Sequence, residues 1–352
     1  MAYDDSAIEV EKNDIKRIRK RPEMYIGHRG NAGWQHVKKE VIQNSVDECT
    51  VEEVDKDEIK GNAIFVSSDD RDQSFYVEDN GRGIPQGKLE DICTFLQSSG
   101  KFNKGKKGSV YKFSAGENGV GTTCANALSE KFIISSSRNG VKKTLTFIKG
   151  VKQDETDEKI KKKKQGTAVY MIPEENGPLG KIKTNYKDTL GLCETMNYLS
   201  KVKIQCHVIT KSGKEINEVY DSKNGIKDLL DTLVDHPIVK PIYINYFDKE
   251  AGMWLEAVFA YDHENRIIEK LNDGNNFILS YANYCTTYNG GTHVSGFKSG
   301  ITSFFTKYVK ENILNKKELK EITVNGEDAR ENLVGVIHLK LENSSFVGKL
   351  LM

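Results

Sequence analysis

Trp34, Val37, Val41 and Val46 recur at close to helical spacing, and the apolar pattern predicts a helix over residues 33–48. Residues 63–66 and 75–77 read as two strands around a polar turn at 67–74. Two further apolar runs, 132–137 and 141–147, flank Asn139-Gly140, a dipeptide that accepts the positive φ angles of a tight hairpin turn. The β-branched and aromatic run from Gly166 to Ile172 predicts a strand ending before Pro173. Several antiparallel strands with helices on one side make an α+β sandwich. The polar stretch 221–223 is followed by an amphipathic helix over 226–234 and strands over 242–247, 254–261 and 332–341. The domain boundary falls near residue 220, within about ten residues, giving domains 1–220 and 221–352.

Composition narrows the class without naming it. Hydrophobic residues make up 37% and charged residues 29% of the 352, the balance of a globular chain. At roughly 150 residues per domain this length fits two. No apolar run approaches the ~18 residues of a spanning helix, and the acidic start is no signal peptide, so no membrane is expected and the cytoplasm is the expected compartment. Six scattered cysteines without a C-x-x-C pair argue against a zinc site and a disulfide framework. A net charge of +1 neither demands nor excludes nucleic acid. The lysine run 161–164 reads as the solvated tip of a hairpin, with a nucleic-acid patch as the sharper alternative.

Four segments carry candidate chemistry. His36, Glu40 and Asn44 lie at i, i+4 and i+8 and stack along one helical stripe. Glu40 can take a proton from water, His36 can hold Glu40, and the amide oxygen of Asn44 can ligate a hard cation such as Mg2+. A solvated helix face shows the same residues. Second, Asp79-Asn80-Gly81-Arg82-Gly83-Ile84-Pro85 follows a strand; a carboxylate there can accept from an adenine amino group, and glycines let backbone approach a flat base. An ordinary glycine turn reads alike. Third, Gly116-Glu117-Asn118-Gly119-Val120-Gly121 precedes an apparent helix, so free backbone N–H groups and a helix N-terminus can converge on phosphate, with Lys101 and Lys112 bracketing the loop. It matches neither a Walker A loop nor a Rossmann turn. Fourth, the Thr167 hydroxyl can bridge through water to Asp79. Their order along the chain gives the set its weight.

That order resembles the GHKL ATPase superfamily, and the surrounding text resembles type IIA DNA topoisomerase large subunits of the gyrase B or topoisomerase IV kind. Residues 19–27, R-K-R-P-E-M-Y-I-G, resemble the family's R-K-R-P-x-M-Y-I-G; 290–297 resemble its G-G-T-H-x-x-G-F, and 327–331 its E-D-A-R-E. The resemblance implies a GHKL α/β sandwich followed by a smaller α+β transducer domain with a βαβ crossover. It also implies roles. Glu40 would be the general base, His36 its orienting partner and Asn44 the Mg2+ ligand. Asp79 would bind the adenine amino group, with Thr167 beside it and Arg82, Gly83, Ile84 and Pro85 around the base. Lys101, Tyr111, Lys112 and the backbone from Gly116 through Glu117, Asn118, Gly119 and Val120 to Gly121 would surround ATP. Tyr3, in an N-terminal arm, would reach into the pocket of the second protomer, so that ATP closes a homodimeric clamp. The implied partners are a cleavage subunit of the gyrase A or ParC kind and the duplex DNA passing through the clamp.

The chain departs from that pattern in places. Gln43 stands where gyrases usually carry aspartate, Glu117-Asn118 replace Leu-His, and the stretch from Pro85 to Lys101 is short, as expected of a divergent, phage- or plasmid-borne member. After Phe346-Val347-Gly348 the family continues with glutamine, threonine and a catalytic lysine, whereas here Lys349 is the nearest lysine. The chain stops where the family continues into a long transducer helix, so no DNA-cleaving residues are expected in it, as for a fragment or a truncated gene product. A MutL-type repair ATPase shares the nucleotide motifs, but the R-K-R-P and G-G-T-H elements count against it. A nucleotide-gated dimerisation module with little hydrolysis stays open: Glu40 favours hydrolysis, and the ending favours a switch.

Overall fold

The computed structural model describes residues 11–56, 58–101, 111, 113–114, 119–263, 276–313 and 324–342. The chain divides into two compact units, the first reaching Ser222 and the second starting at Lys223. Among the described residues no helix is long and apolar enough to cross a membrane.

The first unit is built on eight strands: β1 (Ala63–Asp69), β2 (Ser74–Asp79), β3 (Ser129–Arg138), β4 (Val141–Ile148), β5 (Val151–Lys159), β6 (Gly166–Pro173), β7 (Lys203–Ile209) and β8 (Glu215–Tyr220). Their order is β5-β4-β3-β6-β2-β1-β7-β8, antiparallel throughout except where β1 runs parallel to β7. Three helices pack on this sheet: α3 (Gly30–Cys49), α5 (Gly121–Leu128) and α6 (Tyr186–Ser200). Trp34, Val37 and Val41 of α3 are buried together with Ile64, Val66, Phe75 and Val77 of the central strands, the layered core expected of an α+β sandwich. Two short helices, α1 (Asp14–Lys20) and α2 (Glu23–Ile26), carry the R-K-R-P segment, and α4 spans Asp91–Thr94. Arg19 ties this segment down by donating to the Ala127 carbonyl at 2.8 Å and to Glu174.

Local chemistry explains the hits and the misses. Asn139 and Gly140 take φ of 55° and 83°, the positive angles these two residue types tolerate best, and close the β3–β4 hairpin. The expected polar turn at 67–74 is shorter. Ser67, Ser68 and Asp69 pair with Tyr76, Phe75 and Ser74, and buried Ser68 satisfies its hydroxyl on Thr189 Oγ1 at 3.2 Å. Strand β5 gave no signal because all nine of its residues are exposed and no apolar alternation marks it. Its charges suit an edge strand that must not pair with another chain. The lysine run 161–164 is not a hairpin tip, because β5 pairs with β4 whereas β6 pairs with β3 and β2. It lies in the connection that carries the chain from the sheet edge to β6, and all four lysines are exposed.

The second unit holds α7 (Ile226–Asp231), β9 (Ile242–Asp248), β10 (Met253–Tyr261), β11 (Asn276–Ala282), β12 (Cys285–Thr286), α8 (Thr292–Asn312) and β13 (Leu333–Leu341), in sheet order β12-β11-β13-β10-β9. Helix α7 ends three residues before the expected Val234. β11 and β13 are parallel, with α8 between them in the chain, which is a βαβ crossover. The pattern-based reading missed α8 although Phe297, Ile301 and Phe305 recur every four residues; these side chains pack on Phe259, Ile278 and Leu333. The two distal motifs hold this helix. Gly290 and Gly291, at φ of 72° and 152°, turn the chain into it, and Arg330 of the E-D-A-R-E segment donates to Thr302 Oγ1 at 2.7 Å.

Candidate functional site

Helix α3 supplies one wall of a cavity of about 690 Å³. From Val41 onward this helix is buried all round except at Asn44, so its polar residues do not form a solvated face. His36, Glu40 and Asn44 line the cavity, as do Asp79, Arg82, Gly83, Ile84 and Pro85 from the end of β2, Lys101, Tyr111, Gly119, Val120 and Gly121, and Thr167 from β6. Every expected site residue that falls within the described residues therefore meets in one place. Tyr3, Lys112, Gly116, Glu117, Asn118 and Lys349 lie outside the described residues.

At the reactive end, His36 Nε2 stands 3.5 Å from Glu40 Oε1. The other Glu40 oxygen lies against the first residue of α5, where a Cβ on Gly121 would fall 2.7 Å from Oε2. Glycine at 121 is what lets helix and carboxylate approach. Asn44 Nδ2 donates to Thr122 Oγ1 at 3.4 Å, and its Oδ1 accepts from Lys101 Nζ at 2.8 Å. The same ammonium reaches Asp47 Oδ2 at 2.6 Å.

At the other end, β2 stops with Asp79 paired to Ile64 of β1 and buried to 4% exposure. Its Oδ2 accepts from Ser45 Oγ at 2.9 Å, and its Oδ1 from the Gly81 N–H at 3.0 Å and the Thr167 N–H at 3.3 Å. Thr167 therefore reaches Asp79 directly through its backbone N–H, a contact the sequence did not suggest. Burial pushes the Asp79 carboxyl up to about 7, against the pull of the Gly81 and Ser45 hydrogen bonds. The backbone crowds closely here: a Cβ on Gly166, whose φ is 142°, would lie 2.1 Å from the Asp79 carbonyl oxygen.

Arg82 lines the cavity beside Gly83, Ile84 and Pro85 and is also fastened to α3. Its guanidinium is locked on Glu48, with Nε to Oε1 at 2.8 Å and an NH2 nitrogen to Oε2 at 2.9 Å, and Tyr111 donates to Glu48 Oε2 at 2.6 Å. Burial raises the Glu48 pKa, but the Arg82 and Tyr111 bonds outweigh it and hold the carboxyl below its ordinary value. This bidentate pair fixes the 79–85 turn to α3. Arg138, at the end of β3, caps the same turn by donating to the Gly83 carbonyl at 3.0 Å and pairing with Glu58. Ser45, Asp47, Glu48 and Arg138 were not anticipated. Glu48 was within reach of sequence reasoning, since it continues the stripe 36, 40, 44 by another four residues.

The same arrangement of motifs and fold recurs in known proteins. The family model for histidine kinase-, DNA gyrase B-, and HSP90-like ATPases matches residues 31–174, and the model for DNA gyrase B matches 225–349. The B subunit of DNA topoisomerase 4 from Staphylococcus aureus is 32% identical over 350 residues, covering 96% of this chain and 49% of that protein. The chain spans about half the length of the curated relatives it matches. Among solved structures, the 43K ATPase domain of Thermus thermophilus gyrase B, in complex with an aminocoumarin, aligns with a TM-score of 0.68 at 28% identity, over 95% of this chain and 83% of that one. The topoisomerase IV ATP-binding domain of Francisella tularensis aligns with the same TM-score of 0.68, at 28% identity over 95% and 84%. The ATPase region of Saccharomyces cerevisiae topoisomerase II, 18% identical over 98% of this chain and 89% of its own, shares the fold at a TM-score of 0.70. Motifs, fold and relatives agree: this chain is similar to the B subunits of type IIA DNA topoisomerases, over their ATPase portion.

Proposed function

We propose that the first unit binds and hydrolyses ATP with Mg2+, and that bound nucleotide closes a homodimeric gate that couples ATP to DNA strand passage. The observation that carries this reading is the convergence of Glu40, Asn44, Asp79 and the 119–121 backbone on one cavity. Asp79 offers a carboxylate acceptor to the adenine amino group. The N–H groups around Gly119, Val120 and Gly121 offer donors to phosphate oxygens at the start of α5. Asn44 Oδ1 is a hard oxygen donor held by its own amide contact, which suits Mg2+, whose charge offsets that of the phosphates. Glu40 takes the proton of the attacking water, and His36 keeps the carboxylate aimed. A subunit of the gyrase A or ParC kind and duplex DNA would be the partners of the whole protein.

The test is sedimentation of the full chain with and without a non-hydrolysable ATP analogue and Mg2+. A nucleotide-driven shift from monomer to dimer is the expected result. Tight binding with no change in mass would reduce the reading to an ATPase without a gate.

Asp79 also sets a pH dependence. An amino donor favours the ionised carboxylate, so binding lowers a pKa that starts at about 7 and releases part of a proton near neutrality. Affinity therefore weakens as pH falls through about 7, approaching tenfold per unit. Titration calorimetry in buffers of different ionisation enthalpy, at saturating Mg2+ to keep the phosphates deprotonated, measures it. Proton uptake on binding would contradict the role of Asp79.

A further inference from the structure

Lys101 sits where the proposed function needs another cation. Its ammonium lies 2.8 Å from Asn44 Oδ1, the oxygen assigned to Mg2+, and 2.6 Å from Asp47 Oδ2. The Asp47 carboxylate has no exposed surface and the Lys101 side chain is 10% exposed, so this is no loose surface pair. Lys101 also stands 5.7 Å from the ring centre of Tyr111, whose hydroxyl is held by Glu48, the residue after Asp47. The described ends flanking residues 102–110 are thus both fastened to neighbouring carboxylates of α3.

An ammonium and a divalent ion on one amide oxygen repel strongly in a site this dry, so the two occupants exclude one another. Phosphates supply the reason for the ammonium to leave, because they attract Lys101 while they help to hold the metal. Exchange keeps a cation beside Asp47 throughout. We propose that Lys101 and Asp47 form a cation-exchange latch: Lys101 holds the metal position until metal arrives, and metal enters only as Lys101 moves off. Asp47 is then a positioning residue that holds whichever cation is present, the ammonium first and the metal after the exchange. This rests on the assignment of Asn44 as metal ligand.

The test uses the full chain without nucleotide, with Mn2+ as the probe and free Mn2+ counted by electron paramagnetic resonance. Lys101→Met is expected to bind Mn2+ at least tenfold more tightly than the unmodified protein. Lys101→Arg, which keeps the charge, gains nothing, and adding Asn44→Ala or Asp47→Asn to Lys101→Met removes the gain. Thermal melting checks that each variant folds, and Lys101→Gln runs the same comparison should the methionine variant not fold. Equal Mn2+ affinity in folded Lys101→Met or Lys101→Gln and the unmodified protein overturns the latch, as does an equal gain in Lys101→Arg. Mg2+-dependent binding of an ATP analogue to the unmodified protein, measured alongside, separates the two claims. Its absence removes the nucleotide reading itself, whereas its presence without a Mn2+ gain removes only the latch.

Discussion

Glu40→Gln is expected to lower ATP turnover by about 10²- to 10⁴-fold, the span of a lost general base, and to leave ATP binding within about threefold. The amide has the shape of the carboxylate, so it fits the same gap against Gly121, where no side chain would be accommodated. It cannot accept a proton from water. His36, 3.5 Å away, touches Glu40 without replacing it, so His36→Ala is expected to reduce turnover less, by misdirecting a base that is still present. Steady-state kcat together with analogue binding by calorimetry distinguishes the two variants. Turnover in Glu40→Gln within tenfold of the unmodified protein would remove Glu40 from the chemistry, and a parallel loss of binding would make its role structural.

Asp79→Asn is expected to weaken adenine nucleotide binding about a hundredfold while the fold survives. The asparagine oxygen can keep the Gly81 and Thr167 N–H groups satisfied, and its amide can donate to Ser45 Oγ, which turns to accept. No acceptor is then left for the amino group of the base, and a buried donor facing a donor costs about 1–3 kcal/mol beyond the lost bond. Stability moves the other way. The folded carboxyl has a pKa raised to about 7 above its unfolded value, so the stability it contributes is complete below the unfolded pKa and is lost as pH rises through the folded one. The neutral amide escapes that loss. At pH 8 the melting temperature of Asp79→Asn should therefore equal or exceed that of the unmodified protein, while its affinity for nucleotide has fallen. A melting temperature well below it at that pH would show that the carboxylate supports the fold and not the ligand.

Much of the first unit was readable from residue pattern because its elements are driven by local chemistry. The apolar spacing of Trp34, Val37 and Val41, the Asn139-Gly140 turn and the alternation around Val169 each carry enough information alone. Elements stabilised from outside were not readable. Strand β5 has no buried residue and exists because β4 offers it a ladder partner. The lysine run 161–164 looked like a hairpin tip because sequence distance cannot report that β4 and β3 lie between β5 and β6 in the sheet.

For the site, the residue types, their order and their family segments were settled by the chain itself, since a helical stripe and a glycine-rich turn have the same local geometry wherever they occur. What only the tertiary structure decided is who holds whom. Arg82 is locked on Glu48, Lys101 came to rest on Asn44 and Asp47, and the Thr167 backbone reached Asp79 directly. Each of these depends on groups 54 to 88 residues apart, or 34 for Arg82 and Glu48, being forced together in a dry interior, where a buried charge must find a partner and the nearest one in space wins.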